Sequence, residues 1–352
     1  MMLTRMRSFL TQINIKACAK KLVIPFCFIT PILMLFVLDP NSFNYTWKGR
    51  TFYLFFLWLL FLEIILDWER ITQKNLASLR TARIVAMGVT AAVPIVYVIG
   101  INFLGLDQTL IEIGKQILTF LHFSLDNLQH WPISLEYLIF TLFFSATIWL
   151  AYKFEGLKQF SISLCLLGAI GILYMIDTFY PAGAFTPFQA FVPFTASLAA
   201  QVLNWMGYQT IFLPYQMQGT PVLYVSGSSG SVGFGIGWPC AGVQSLFIYT
   251  CVILLFLKKS AIPLIQKLMY FIIGAIGTYV INILRIVSIY IIAVNQGKSA
   301  AQVFHDYYGE LYSITWIIAY LIIIILSRTI PTKLSMLKVK LQKQTMPRED
   351  RS

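Results

Sequence analysis

The chain has 352 residues, of which 58% are apolar and only 11% charged, against roughly a quarter charged in an ordinary soluble domain. Such a composition belongs to an integral membrane protein and argues against nucleic acid as the partner of its net charge of +12, because multi-pass proteins gather Lys and Arg in their cytoplasmic loops. Five cysteines and three histidines are too few and too scattered for a disulfide scaffold or a metal cluster, so no metal and no cofactor is expected.

In chain order, a basic stretch (Arg5, Arg7, Lys16, Lys20, Lys21) precedes the first apolar run. No small-residue cleavage site follows it, so the run reads as an uncleaved first helix rather than a signal peptide. Runs long enough for a hydrocarbon core of about 30 Å lie near 22–38, 51–66, 84–106, 133–152, 160–178, 241–257, 268–294 and 311–327. Backbone groups in lipid must be satisfied within their own segment, which makes these runs helices. The expected fold is therefore an all-α polytopic membrane protein with about eight transmembrane helices. Its parts are a cytoplasmic basic N-terminus (1–21), five transmembrane helices (22–178), an uncharged outer segment (179–240), a three-helix core (241–327) and a cytoplasmic basic tail (328–352).

With the N-terminus inside, 21 basic residues fall in inner segments and 4 (Lys48, Arg50, Lys115, Lys298) in outer ones. This split sets the orientation, with both termini cytoplasmic. Residues 179–240, 62 in all, contain no Asp, Glu, Lys, Arg or His, unlike an exposed soluble domain. Phe188–Trp205 is apolar enough for an interfacial or re-entrant helix, with a break at Pro193. A full span there makes nine crossings and inverts the charge rule for the C-terminal third, so it is disfavoured. The stretch VLYVSGSSGSVGFGIG (222–237) alternates β-prone residues around a Gly/Ser turn, which suggests a hairpin on the outer leaflet.

Three residues invite chemistry. Cys240, in GWPCAGVQSLF, stands at the mouth of the span that begins at Ala241. Unpaired N–H groups and the positive end of the helix dipole there favour thiolate. Arg285, in YVINILRIVSIY, lies about nine residues inside the end of its span, hence ~13 Å deep, where a guanidinium needs a partner or a wet cavity. Asn282 sits one turn deeper on the same face, placed to orient Arg285 or to join two helices. His305, in VFHDYYGELYS, occupies the next outer loop, where Asp306 and Glu310 do not complete a zinc motif. Singly, these read as a small packing residue, a snorkelling cation and a solvated loop residue. Jointly, loop charge alone puts thiol, cation and imidazole at one outer level of consecutive helices, as acyl transfer requires. Cys18, Cys27, Cys165 and Cys251 read as packing residues, and His122 and His130 fall in the other outer loop.

The order PCAGVQS, NILRI and a following outer-loop histidine resembles the archaeosortase/exosortase family of membrane cysteine transpeptidases. The resemblance covers about residues 160–327 by motif and the whole chain by hydropathy. Its general look is closest to the archaeal members, the thaumarchaeal type among them. The resemblance implies Cys240 as nucleophile with Arg285 and His305 beside it. It also implies surface proteins as substrates, each bearing a C-terminal sorting signal: a short motif, a hydrophobic helix and a basic tail. The product would pass through a thioester to an acceptor, in archaea a lipid. Two other classes fit the residues alone: a transporter of an anionic solute held by Arg285, and a structural membrane protein in which Arg285 and Asn282 join helices.

Overall fold

The computed structural model describes residues 25, 27–45, 47–68, 71, 81–180, 185–216, 220–258, 260 and 262–345. The basic N-terminus, Cys18, Arg70, Lys74, Arg80, Lys259 and the last residues of the tail lie outside these.

Each apolar run picked out above is helical over most of its described residues. In chain order come α1 (Ile29–Leu38), α2 (Thr51–Leu66), α3 (Thr81–Phe103), α4 (Leu106–Phe120), α5 (Trp131–Gln159), α6 (Ser161–Phe179) and α7 (Val192–Trp205). Three strands follow, β1 (Gln209–Gln216), β2 (Thr220–Gly227) and β3 (Gly230–Gly235), and then α8 (Gln244–Lys258), α9 (Leu264–Gln296), α10 (Lys298–Val303) and α11 (Gly309–Thr345). Among the described residues, six helical segments are long and apolar enough to cross a membrane: Thr81–Phe103, Leu128–Gln159, Ser161–Phe179, Pro239–Lys258, Leu264–Gln296 and Lys298–Arg328. The first two expected spans are shorter apolar helices, α1 with 10 residues and α2 with 16.

The predicted outer loop after α3 is itself largely helical. α4 buries Gly114 and Leu118 on one side and directs Asp107, Glu112 and Lys115 elsewhere, so its apolar residues cover only one stripe. In the uncharged segment, α7 has 14 residues and begins with Pro193 in its first turn. Its length, about 21 Å at helical rise, is short of a bilayer core. The expected hairpin forms as β2–β3 around Ser228 and Ser229, and β1 joins it to make a three-stranded antiparallel sheet in the order β1-β2-β3. β1 was not anticipated. The sheet rests on the far end of α9, whose 33 residues reach about 50 Å and so extend past a hydrocarbon core. Tyr290 Oη donates to the carbonyls of Leu223 (3.1 Å) and Phe234 (3.3 Å), fixing both strands to that helix.

The two ends of the bundle are tied by charges. At the end away from Cys240, Lys258 Nζ donates to the carbonyls of Lys158 (2.6 Å) and Gln159 (3.1 Å) and to Ser161 Oγ (2.9 Å). There Glu63 accepts from the N–H groups of Ile162 (3.1 Å) and Ser163 (3.2 Å), capping α6. At the Cys240 end, Arg50 makes a two-pronged pair with buried Glu136, 2.9 Å for each contact, and reaches Asp39 at 2.8 Å. Lys48 pairs with Asp177 at 2.5 Å. Burial works against the Arg50 charge, but Glu136 and its hydrogen bonds outweigh it and hold the guanidinium above its ordinary pKa. At Lys48 burial wins over Asp177, and the ammonium is held below its usual range. Two of the four outer basic residues counted for topology are thus internal fasteners.

Candidate active site

Two irregular turns carry the groups singled out from the sequence. The chain leaves β3, passes Gly237 and the fully buried Trp238, and enters a wide π turn, Pro239–Val243, that opens α8. Pro239 starts the turn, where a missing N–H costs nothing. The Cys240 N–H donates to Gly237 O (3.1 Å) and the Ala241 N–H to Trp238 O (3.2 Å). Gly242 takes φ 104° and ψ −5°, a conformation that L side chains resist. A Cβ there would also stand 3.3 Å from Asn282 Nδ2 and 3.4 Å from the Tyr279 ring. The turn therefore seats directly on α9. Asn282 Nδ2 donates to the Cys240 carbonyl at 3.0 Å, and Thr195 Oγ1 donates to the Ala241 carbonyl at 3.3 Å while sharing a 2.7 Å contact with Tyr279 Oη.

His305 lies on a second π turn, Phe304–Tyr308, between α10 and α11. Such turns widen a helix locally and re-aim the side chains they carry. His305 Nε2 is 3.5 Å from Cys240 Sγ, and its Nδ1 is 2.9 Å from Asp306 Oδ1. Gln302 Nε2 in turn donates to both oxygens of Asp306, at 2.9 and 3.0 Å. The result is a line of contacts from amide to carboxylate to imidazole to thiol. A carboxylate on Nδ1 favours the tautomer that carries its proton there and leaves Nε2 to exchange a proton with sulfur.

Arg285 is 4% exposed on α9. Its guanidinium lies against Gly309, where a Cβ would come within 2.7 Å of Nε and 3.0 Å of Nη2. Gly309 opens α11, four positions beyond His305, so the cation packs beneath the turn that carries the imidazole. Of the three residues expected to act together, Cys240 and His305 are in contact and Arg285 packs on the adjoining helix start.

Asn282, expected to orient Arg285 or to join two helices, does join two: its amide on α9 holds the Cys240 carbonyl in the turn that opens α8. Two other neighbours escaped sequence reasoning. Asp306 was weighed only as a metal ligand; its place next to His305 was the available signal. Trp238 carried no signal. It is held edge-on by Trp47 (5.3 Å between ring centroids) and tilted against Phe188 (5.1 Å), contacts that only the folded chain reveals. Among the other cysteines, Cys165 on α6 and Cys251 on α8 face one another. His122 and His130 flank the turn between α4 and α5. No three His, Cys, Asp or Glu side chains converge as metal ligands among the described residues.

The model of the transmembrane exosortase family (Exosortase_EpsH) matches residues 45–324, which include both π turns and every contact described here. No curated protein and no solved structure matches the chain. The chain belongs to the transmembrane exosortase family.

Proposed function

We propose that this exosortase-family chain is a membrane cysteine transpeptidase that removes the C-terminal sorting signal of surface proteins and transfers the new C-terminus to an acceptor, a membrane lipid. The observation that carries the reading is the 3.5 Å contact between Cys240 Sγ and His305 Nε2. An incidental small cysteine has no use for a carboxylate-backed imidazole.

In the mechanism this supports, His305 Nε2 takes the proton of Cys240 and the sulfur attacks the scissile carbonyl carbon. The carbonyl π electrons move to oxygen, and Arg285 is the cation on hand for that oxyanion. On collapse the C–N bond breaks, and His305 returns its proton to the leaving amine, which departs with the hydrophobic helix and basic tail. A thioester remains. An acceptor hydroxyl, losing its proton to His305, then attacks that carbonyl and expels the Cys240 thiolate. Asp306 acts through His305, by holding Nδ1.

The distribution of basic residues supports eight crossings, with both termini in the cytoplasm and the Cys240 end outside. That is where a surface protein anchored by a C-terminal helix presents its cleavage site. The archaeal branch, whose acceptor is a lipid, is the assignment we favour.

The test is to express wild type and Cys240→Ala in the native host and map the C-termini of surface proteins by mass spectrometry. Hydrophobic tails retained only with Cys240→Ala, and a lipid mass on the wild-type C-termini, are expected. Identical C-termini with both chains present at equal levels would sink the reading. Cys240→Ser separates it from the transporter alternative, which tolerates that change.

A further inference from the structure

We infer that the stretch of substrate just before the scissile bond binds in extended form, as a fourth strand added to the free edge of β3. The inference rests on the transpeptidase reading above and names how its substrate is held.

The pairing phase of the sheet identifies the edge. β3 pairs with β2 from Gly230↔Gly227 to Gly235↔Val222, and the Ile236 N–H continues the ladder to Pro221 O at 2.8 Å. In an antiparallel pair, alternate residues turn their backbone groups toward the partner. Ile236 does so, and with it Phe234, Val232 and Gly230. Ser231, Gly233 and Gly235 consequently turn their N–H and C=O groups away from β2, and none of these groups bonds to another element among the described residues. Ser231 and Gly235 are solvent-exposed and Gly233 is half-exposed.

An edge of this kind is ordinarily blunted by lysine, proline, a bulge or a covering element. β3, with the sequence GSVGFG, has neither Lys nor Pro, and its register with β2 is unbroken. At two of the three outward positions it has no side chain at all. The Gly233 site is occupied from across the sheet by the Tyr224 ring, which a Cβ would meet at 2.4 Å. A second backbone can therefore lie alongside without meeting side chains of β3 on that face.

Direction and reach complete the case. β3 runs toward the nucleophile, with Gly235 five positions before Cys240, a span of at most about 17 Å. A substrate that passes from a surface domain into a membrane helix runs the same way as β3 leading into α8. The added strand is thus parallel to β3, and its continuation arrives at Cys240. Main-chain pairing supplies affinity without demanding particular side chains, which suits an enzyme that receives many different proteins at one junction.

Proline substitution tests the edge. Gly235→Pro and Ser231→Pro delete one outward N–H each and leave the bonds to β2 in place. Gly235→Ala and Ser231→Ala retain the N–H; the former also controls for the new Cβ, which stands 3.0 Å from Thr220 Oγ1. Full-length chains are expressed in the native host. Two quantities are read: the rate at which surface proteins lose their hydrophobic tails, and the rate of Cys240 alkylation by iodoacetamide in isolated membranes, by peptide mapping. Each proline is expected to slow processing about fivefold, and the two together about 25-fold, as for one and two hydrogen bonds. The alanine variants should stay within about twofold, below the loss of one such bond, and Cys240 should alkylate at the wild-type rate throughout. Proline variants that process no more slowly than their alanine partners would overturn the inference, as would a fall in Cys240 alkylation parallel to the fall in processing. Loss of the transpeptidase reading itself shows elsewhere, as equal processing by wild type and Cys240→Ala.

Discussion

Asn282 is fully buried, donates from Nδ2 to the Cys240 carbonyl at 3.0 Å, and leaves Oδ1 without a partner among the described residues. Asn282→Leu keeps the size of the side chain and removes both polar atoms. Stranding the Cys240 carbonyl costs about 1–3 kcal/mol, while eliminating the orphaned Oδ1 recovers a desolvation cost of similar size. The two nearly cancel, so stability should change by no more than about 1 kcal/mol, a melting shift of about 2–4 °C. Activity should respond otherwise. The π turn that aims the sulfur loses its tether to α9, and a displacement of about 1 Å at a reacting atom is worth on the order of a hundredfold in rate. Thermal unfolding in detergent and tail removal from surface proteins in the native host read the two quantities separately. Processing within twofold of wild type would refute the tether, and a melting point lowered by 10 °C or more, roughly three times the shift allowed, would show Asn282 to be a structural strut.

Three further outcomes are expected. Gly242→Ala forces a side chain into φ 104° and should destabilise the chain by about 1–3 kcal/mol while slowing processing; an unchanged unfolding temperature would contradict this. Glu136→Gln leaves the Arg50 guanidinium without its buried partner and should cost about 3–5 kcal/mol in thermal unfolding, whereas an unaltered melting curve would mean that Asp39 suffices. Asp306→Ala removes one charge-assisted hydrogen bond to His305 and should slow processing by about tenfold to a hundredfold. Wild-type processing by that variant would remove Asp306 from the mechanism.

What was readable in the sequence follows from range. Apolar runs report local solvent, so α1–α3, α5, α6, α8, α9 and α11 all lie where the hydropathy put them. The β2–β3 hairpin was legible because its turn residues are adjacent. β1 was not, because its stretch QTIFLPYQ lacks clean alternation and gains its partner only through β2. α4 was overlooked because charges interrupt its apolar stripe. At the site, chain order sufficed to nominate Cys240 and His305, but the Asn282–Cys240 and Arg50–Glu136 contacts join residues 42 and 86 positions apart. No local pattern encodes such pairings, which exist only once helices distant in the sequence have packed.

The fastening of α8 at each extremity bears on how a bulky chain gets in. Lys258 clamps its lower end to the α5–α6 junction, and Trp238, wedged by Trp47 and Phe188, holds the turn above it. A helix gripped top and bottom can neither slide nor tilt far, so Cys240 is effectively part of the frame. α11, which approaches from the C-terminal side and follows the turn that bears the imidazole, is tied to the same frame: Ser313 Oγ donates to Ser245 Oγ on α8 at 2.8 Å, and Tyr320 Oη to the Tyr270 carbonyl on α9 at 2.7 Å. The thiol and the imidazole thus stand on helices that are fastened to one another, and a bulky chain meets them as a preformed pair, 3.5 Å apart.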